Sequence, residues 1–164
     1  MNAETGTERE LLEAHLDENR ATVVRKISGL PWDLATRRLG VSPTSVAGIV
    51  KHLIDVERWW FYCNLAGEEW ASQWSTDENP DGEFDLVEGE SVESLIAEYE
   101  VACAESRVIA ARFELDDQCV RVHHWRQVRP SLRWLYIHMI EELARHNGQL
   151  DIYRELLDGT TDRD

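Results

Sequence analysis

Lysine is almost missing from this sequence: it stands only at positions 26 and 51, and the remaining basic residues are arginines. The 17 basic residues face 32 acidic ones, for a formal charge of −15 and no basic stripe. Such a surface repels phosphate backbones and anionic membranes, which excludes a nucleic-acid partner and a membrane partner. No apolar run approaches the roughly 20 residues that a bilayer crossing requires. The opening residues, Met-Asn-Ala-Glu-Thr-Gly-Thr-Glu, are acidic and polar and do not read as a signal peptide. Three cysteines, Cys63, Cys103 and Cys119, are odd in number and lack CxxC spacing. A disulfide framework is therefore not expected, and a reducing cytoplasm is. Internal repeats, low-complexity tracts and domain linkers are also missing, so residues 1–164 read as one domain with a sizeable core. The preference for arginine over lysine is read as composition rather than mechanism.

What is present is helical periodicity. Leu11, Leu12, His15, Leu16, Asn19, Val23 and Ile27 recur at three- and four-residue steps and predict a helix over 7–28. Thr7 stands as its N-cap, with Glu10 at the capping-box position, and His15 is placed on its inner side. A loop over 30–42 follows. Ser42-Pro43 then reads as a cap with proline at the first helical position of a helix over 43–66. The stripe of that helix is Ile49, His52, Leu53, Val56, Trp60 and Cys63, with a histidine inside it. Residues 67–90 are acidic and irregular, with a short helical turn expected around Trp70–Trp74. The acidic run lacks the DxDxDG spacing and terminal Glu of a calcium loop and is not read as one. Ser91 caps a third helix over 92–113, in which Cys103 reads as a small buried hydrophobe. The stretch Cys119-Val-Arg-Val-His-His-Trp alternates weakly and suggests a short extended segment, with His123 and His124 as loop residues. Pro130-Ser131 opens a fourth helix to about 157, and Gly159 stops it. Seven tryptophans read as packing anchors. Four long amphipathic helices without a strong strand make an all-α four-helix bundle with a long loop between the second and third helices.

One stretch conflicts with its own pattern. In Leu132–Asp151, read at about 100° per residue from Glu142, Leu135 and Tyr153 fall at about 20° and Met139 and Leu157 at about 60°. His146 falls at about 40° and His138 at about −40° on the same scale. Glu142 and His146 thus lie inside the apolar stripe, with His138 at its edge. A carboxylate there is costly unless it is paired, neutralised or metal-bound. Taken with His52 of the second helix, Glu142 and His146 form two imidazoles and one carboxylate, a donor set suited to Zn(II), Ni(II), Fe(II) or Mn(II). Three protein ligands would leave positions open for water or substrate, as in catalytic sites. The competing reading has no metal, with Glu142 held by Arg145, Arg133 or a histidine.

The residues Val46-Ala-Gly-Ile-Val-Lys-His52-Leu, Glu57-Arg-Trp-Trp-Phe61, Ser131-Leu-Arg-Trp134 and His138-Met-Ile-Glu-Glu142-Leu-Ala-Arg-His146-Asn-Gly-Gln-Leu-Asp151 resemble the DinB-like metal-dependent superfamily. The likeness covers nearly the whole chain and is closest to the mycothiol-associated branch, many of whose members have no known activity. It implies a four-helix bundle with a divalent metal, zinc foremost, on His52, Glu142 and His146. The family commonly supplies two histidines four apart from its last helix. Glu142 departs from that, as does the metal domain of mycothiol-dependent maleylpyruvate isomerase. The isomerase carries a further C-terminal domain, and this chain ends at Asp164 without it, so isomerase activity is not expected. The resemblance implies a thiol S-transferase with mycothiol as co-substrate: the metal presents a thiolate to a small electrophile. It also implies a homodimer. A non-catalytic metal- or ligand-binding bundle and a hydrolase using metal-bound water are the alternatives. His138 is either an outer partner orienting Glu142 or a packing residue. Arg145 and Asp151 match the family pattern, and Asp151 reads as structural.

Overall fold

The computed structural model describes residues 4–85, 87–123 and 127–161. It is all-helical, with α1 at Glu8–Ile27, α2 at Trp32–Ala35, α3 at Val46–Glu57, α4 at Val92–Ala110 and α5 at Leu132–Asp158. Helix α1 packs along α5 and α3 along α4, with lighter contacts between the two pairs, closing a four-helix bundle. Named strands are absent among the described residues. Two isolated antiparallel bridges, Gln118 with Ser131 and His123 with Val128, pair residues of the α4–α5 connection. His124 and Trp125 lie outside the described residues. No described helix is long and apolar enough to cross a membrane.

Local chemistry sets the helix ends. Thr7 accepts from the Glu10 backbone while the Glu10 carboxylate accepts from the Thr7 backbone, the capping box expected there. Ser91 and Ser131 cap α4 and α5 as expected, and Gly159 closes α5 in the left-handed conformation. Helix α4 stops at Ala110, three residues short of the expected end. Arg9 of α1 donates there to the carbonyls of Ala110 (2.9 Å) and Phe113 (2.6 Å), satisfying the exposed end of the helix with a cation.

Three expectations fail at the second helix and its flanks. The cap of α3 is Ser45, which accepts from the Gly48 backbone, and not Ser42. Tyr153 donates to the Thr44 carbonyl (2.9 Å) and holds the preceding turn against α5. The 30–42 loop contains α2, a single turn started by Pro31, too short to carry a periodic pattern. No helix forms around Trp70–Trp74; a single 3-10 turn, Gly82–Phe84, takes its place later in the same loop. Beyond Glu57, α3 continues as a π-helix, Arg58–Leu65, which buries Trp60, Phe61, Cys63, Asn64 and Leu65. Asn64 donates to the Trp59 carbonyl five residues back (2.8 Å), and the Ala66 backbone donates to Phe61.

The expected inner stripe of α1 holds at Leu16, Val23 and Ile27, which are fully buried, and departs from expectation at His15. His15 is exposed, and Arg20 and Lys26 are buried instead. Each cation has its partner. Arg20 forks onto Glu57 of α3, Nε to Oε1 at 2.8 Å and the terminal nitrogen to Oε2 at 2.6 Å. Lys26 pairs with Asp151 of α5. Asp151 therefore has the structural role expected of it. The Arg20–Glu57 pair lies in the core beside Tyr99, Cys103 and Phe61. Removing Glu57 leaves the buried Arg20 guanidinium with only the half-exposed Asp17 (3.0 Å), a loss of up to about 3–5 kcal/mol, whereas removing both core partners leaves mainly a packing problem. Glu57→Ala is therefore expected to destabilise the chain by that amount in urea unfolding. Arg20→Met combined with Glu57→Leu is expected to recover most of the loss.

Candidate metal centre

His52 stands on α3 seven residues beyond its cap, and Glu142 and His146 stand one turn apart on α5. The crossing of α3 and α5 brings all three together: one ligand-capable atom from each lies within 4.8 Å of the others. The three side chains are partly exposed, His52 the most at 30% and Glu142 and His146 at 14% each. The His52 and His146 rings tilt toward each other with centroids 5.0 Å apart. Their Nε2 atoms converge on the same carboxylate oxygen, Glu142 Oε1, at 3.6 Å from His52 and 3.1 Å from His146.

Each ring also has an acceptor behind it. His52 Nδ1 lies 3.1 Å from Glu83 Oε1, and His146 Nδ1 lies 2.7 Å from Gln149 Oε1. Both partners accept, so each Nδ1–H donates and each Nε2 is turned toward Glu142. A metal-binding imidazole needs this arrangement. Two nitrogens and one oxygen converging on one point, backed by acceptors, are satisfied by protons or by a divalent cation. The donor chemistry suits Zn(II), Ni(II), Fe(II) or Mn(II), with His52, Glu142 and His146 as the residues that would hold it.

The surrounding charge favours a cation as well. The hydrogen bond from His146 (3.1 Å) and the His52 ring at 3.6 Å hold the Glu142 carboxyl far below the usual carboxylate range. Burial depresses the His52 value, but the Glu142 and Glu83 carboxylates more than offset this and push it up to about 9. Burial also works against the charge on Glu83, yet donors from His52 and Ser75 keep its carboxyl below the ordinary value. One turn past His52, burial raises Asp55 to about 6, and its Oδ1 has no hydrogen-bond partner.

The other candidates separate from this cluster. His138 stacks on Trp134 (centroids 4.9 Å, planes 10° apart) and meets Trp60 edge-on at 4.7 Å. His123 stacks on the other end of that aromatic group, 5.4 Å from Trp60. Arg133 pairs with Glu8 and Asp116, whereas Arg145 lies 3.4 Å from Glu142 Oε2 and is largely exposed. Glu83 and Gln149 escaped the sequence reading. Gln149 could have been found, because it lies three residues after His146 on one helix face. Glu83 comes from an irregular loop 31 residues from His52, and no periodic signal reaches it.

None of the chain's own thiols is placed to react. Cys63, Cys103 and Cys119 are free and buried, and burial pushes Cys103 up to about 12 and Cys119 to about 11.

The sign of the His52 shift gives a pH prediction for chelator-treated protein. Its folded value near 9 lies above the ordinary 6.5. The stabilisation is therefore complete below about pH 6.5 and fades as pH rises through 9. Urea unfolding is expected to show a loss of about 3 kcal/mol between those limits, an upper figure from 1.36 kcal/mol per unit. His52→Ala should abolish this slope, and an unchanged slope in that variant would refute the assignment.

No curated protein matches the chain. The family model for mycothiol-S-transferase matches residues 11–159, which include His52, Glu142 and His146. That span takes in α2, α3, α4, α5 and nearly all of α1, in accord with the all-helical bundle and with the resemblance noted above. The chain belongs to the mycothiol-S-transferase family, a mycothiol-associated branch of the DinB-like superfamily.

Proposed function

We propose that this chain is a divalent-metal-dependent S-transferase that uses mycothiol, in which His52, Glu142 and His146 hold the ion, Zn(II) foremost, and a small electrophile takes up the thiol sulfur. The convergence of both Nε2 atoms on Glu142 Oε1 carries this reading. Family membership supports mycothiol as the thiol. The burial of all three cysteines supports a nucleophile brought from outside the chain.

A divalent ion on these ligands would lower the pKa of a thiol entering an open coordination position, so that sulfur is presented as thiolate near neutral pH. The protein's part is positional. His52 and His146 contribute neutral nitrogens, and Glu142 contributes one negative charge, so the ligand set neutralises half of a divalent charge. The remainder favours an anionic sulfur over a neutral one. Glu83 and Gln149 keep the imidazoles oriented through Nδ1. In the transfer, the thiol proton passes to solvent, sulfur forms a bond to the electrophilic carbon, and the leaving group departs with its electron pair. No general base from the chain is assigned, because a thiol acidified by an ion on these ligands would ionise without one. The free state of Cys63, Cys103 and Cys119 accords with a reducing compartment such as the cytoplasm.

Metal analysis of purified protein, paired with calorimetric titration of mycothiol, tests the reading. About one metal per chain is expected, with mycothiol binding that disappears on chelation and returns on reloading. His52→Ala should lose the metal while keeping its helical circular dichroism. Metal without mycothiol affinity would transfer support to the hydrolase or ligand-binding alternatives. Full metal retention in His52→Ala would defeat the ligand assignment.

A further inference from the structure

We propose that the acidic loop between α3 and α4 is a built part of the metal centre, a strap fastened along one face of α3, and that Glu83 is the positioning residue it delivers to His52. The proposal rests on the metal reading above.

The face of α3 that carries His52 is the face that holds the loop. Gly48, Lys51, His52 and Asp55 stand at i, i+3, i+4 and i+7, one stripe of the helix. All four engage loop residues. At Gly48 the Phe84 ring lies so close to the helix that a Cβ there would collide with it. Lys51 is buried and donates to the Asp85 carbonyl (2.7 Å) and to both oxygens of Glu90 (3.0 Å each). Glu90 also accepts from the indole of Trp74 (3.0 Å), and the Lys51 ammonium lies 5.3 Å from that ring centroid. Asp55 accepts from Ser72 Oγ, whose oxygen in turn accepts from the backbones of Trp74 and Ser75.

These anchors bracket Glu83. Phe84, its neighbour, is seated on Gly48, and the 3-10 turn Gly82–Phe84 fixes the backbone. The Trp74 carbonyl passes so close to the Gly82 Cα that no side chain fits there. The Glu83 carboxylate, 12% exposed, is thereby bound on both oxygens, Oε1 by His52 Nδ1 and Oε2 by the Ser75 hydroxyl. A carboxylate held at both oxygens cannot swing, so it fixes the plane of the imidazole and the direction of Nε2. Outer partners of this kind typically contribute 10–100-fold to metal affinity. Glu83 stays outside the three-residue cluster whose atoms lie within 4.8 Å of one another. It acts on the ion through His52 and leaves the open positions to the thiol.

The test is Zn(II) affinity of the full chain, measured at pH 8 against a chromophoric chelator. Glu83→Ala is expected to weaken Zn(II) binding by about 10–100-fold. Glu83→Gln, whose amide oxygen still accepts from Nδ1–H, is expected to lose less. Gly48→Ala removes no polar group but displaces Phe84, and with it the strap; its affinity is expected to fall too, with an altered Co(II) absorption spectrum. A downfield imidazole N–H resonance present in the wild type should vanish in Glu83→Ala. Affinity within about twofold of wild type in Glu83→Ala, with helical content intact, overturns the proposal and leaves the metal reading standing. A wild type that takes up no Zn(II), or a His52→Ala variant that binds it as tightly, overturns both.

Discussion

Glu142 stands where α5 turns toward the core, and a carboxylate can stay ionised there because two imidazoles bring nitrogen to it. The contact is small, two Nε2 atoms against one oxygen at 3.6 and 3.1 Å, but it constrains much else. It requires α3 and α5 to cross at one height, since His52 belongs to one helix and Glu142 and His146 to the other. It requires each ring to be oriented from behind, and Glu83 and Gln149 do so. The three side chains keep a route to solvent, at 14–30% exposure.

The bundle holds that crossing with a sparse supply of cations. Lysine occurs twice in the sequence, and both lysines are buried and paired: Lys26 with Asp151 of α5, and Lys51 with Glu90 of the long loop. Arg20 and Glu57 add a third pair, between α1 and α3, with both partners in the core. In a chain with 32 acidic residues, these cations join α1 to α5, α1 to α3, and the loop to α3. Two of the joined elements, α3 and α5, carry the candidate ligands. Such pairs contribute little net stability, but leaving a buried cation unpaired is costly. The scarcity of lysine, which as composition suggested nothing, coincides with structural positions in the fold.

Much of this was legible beforehand. Apolar residues at three- and four-residue spacing located the four long helices, and Thr7, Ser91, Ser131 and Gly159 marked their ends by capping chemistry that acts within one turn. His52, Glu142 and His146 stood out because a polar residue inside an apolar stripe is expensive. What escaped was set by contacts distant in sequence. The burial of Arg20 rather than His15 depends on Glu57, 37 residues away. The start of α3 at Ser45 accompanies a hydrogen bond from Tyr153 to Thr44 on the far side of the chain. The π-helix replaces the repeat that the stripe from Ile49 to Cys63 was read by. Glu83 sits in a loop without periodicity, placed by Phe84 against Gly48 and by Lys51.

The central claim is that two imidazoles and one carboxylate hold a divalent ion and leave a position that mycothiol sulfur can take. X-ray absorption at the zinc edge of the loaded protein, recorded before and after mycothiol is added, addresses both halves at once. The account predicts a shell of nitrogen and oxygen at about 2.0–2.1 Å containing two imidazoles, and one sulfur at about 2.3 Å once the thiol is present. A shell already closed by four protein ligands, or one in which no sulfur appears at saturating mycothiol, would contradict it.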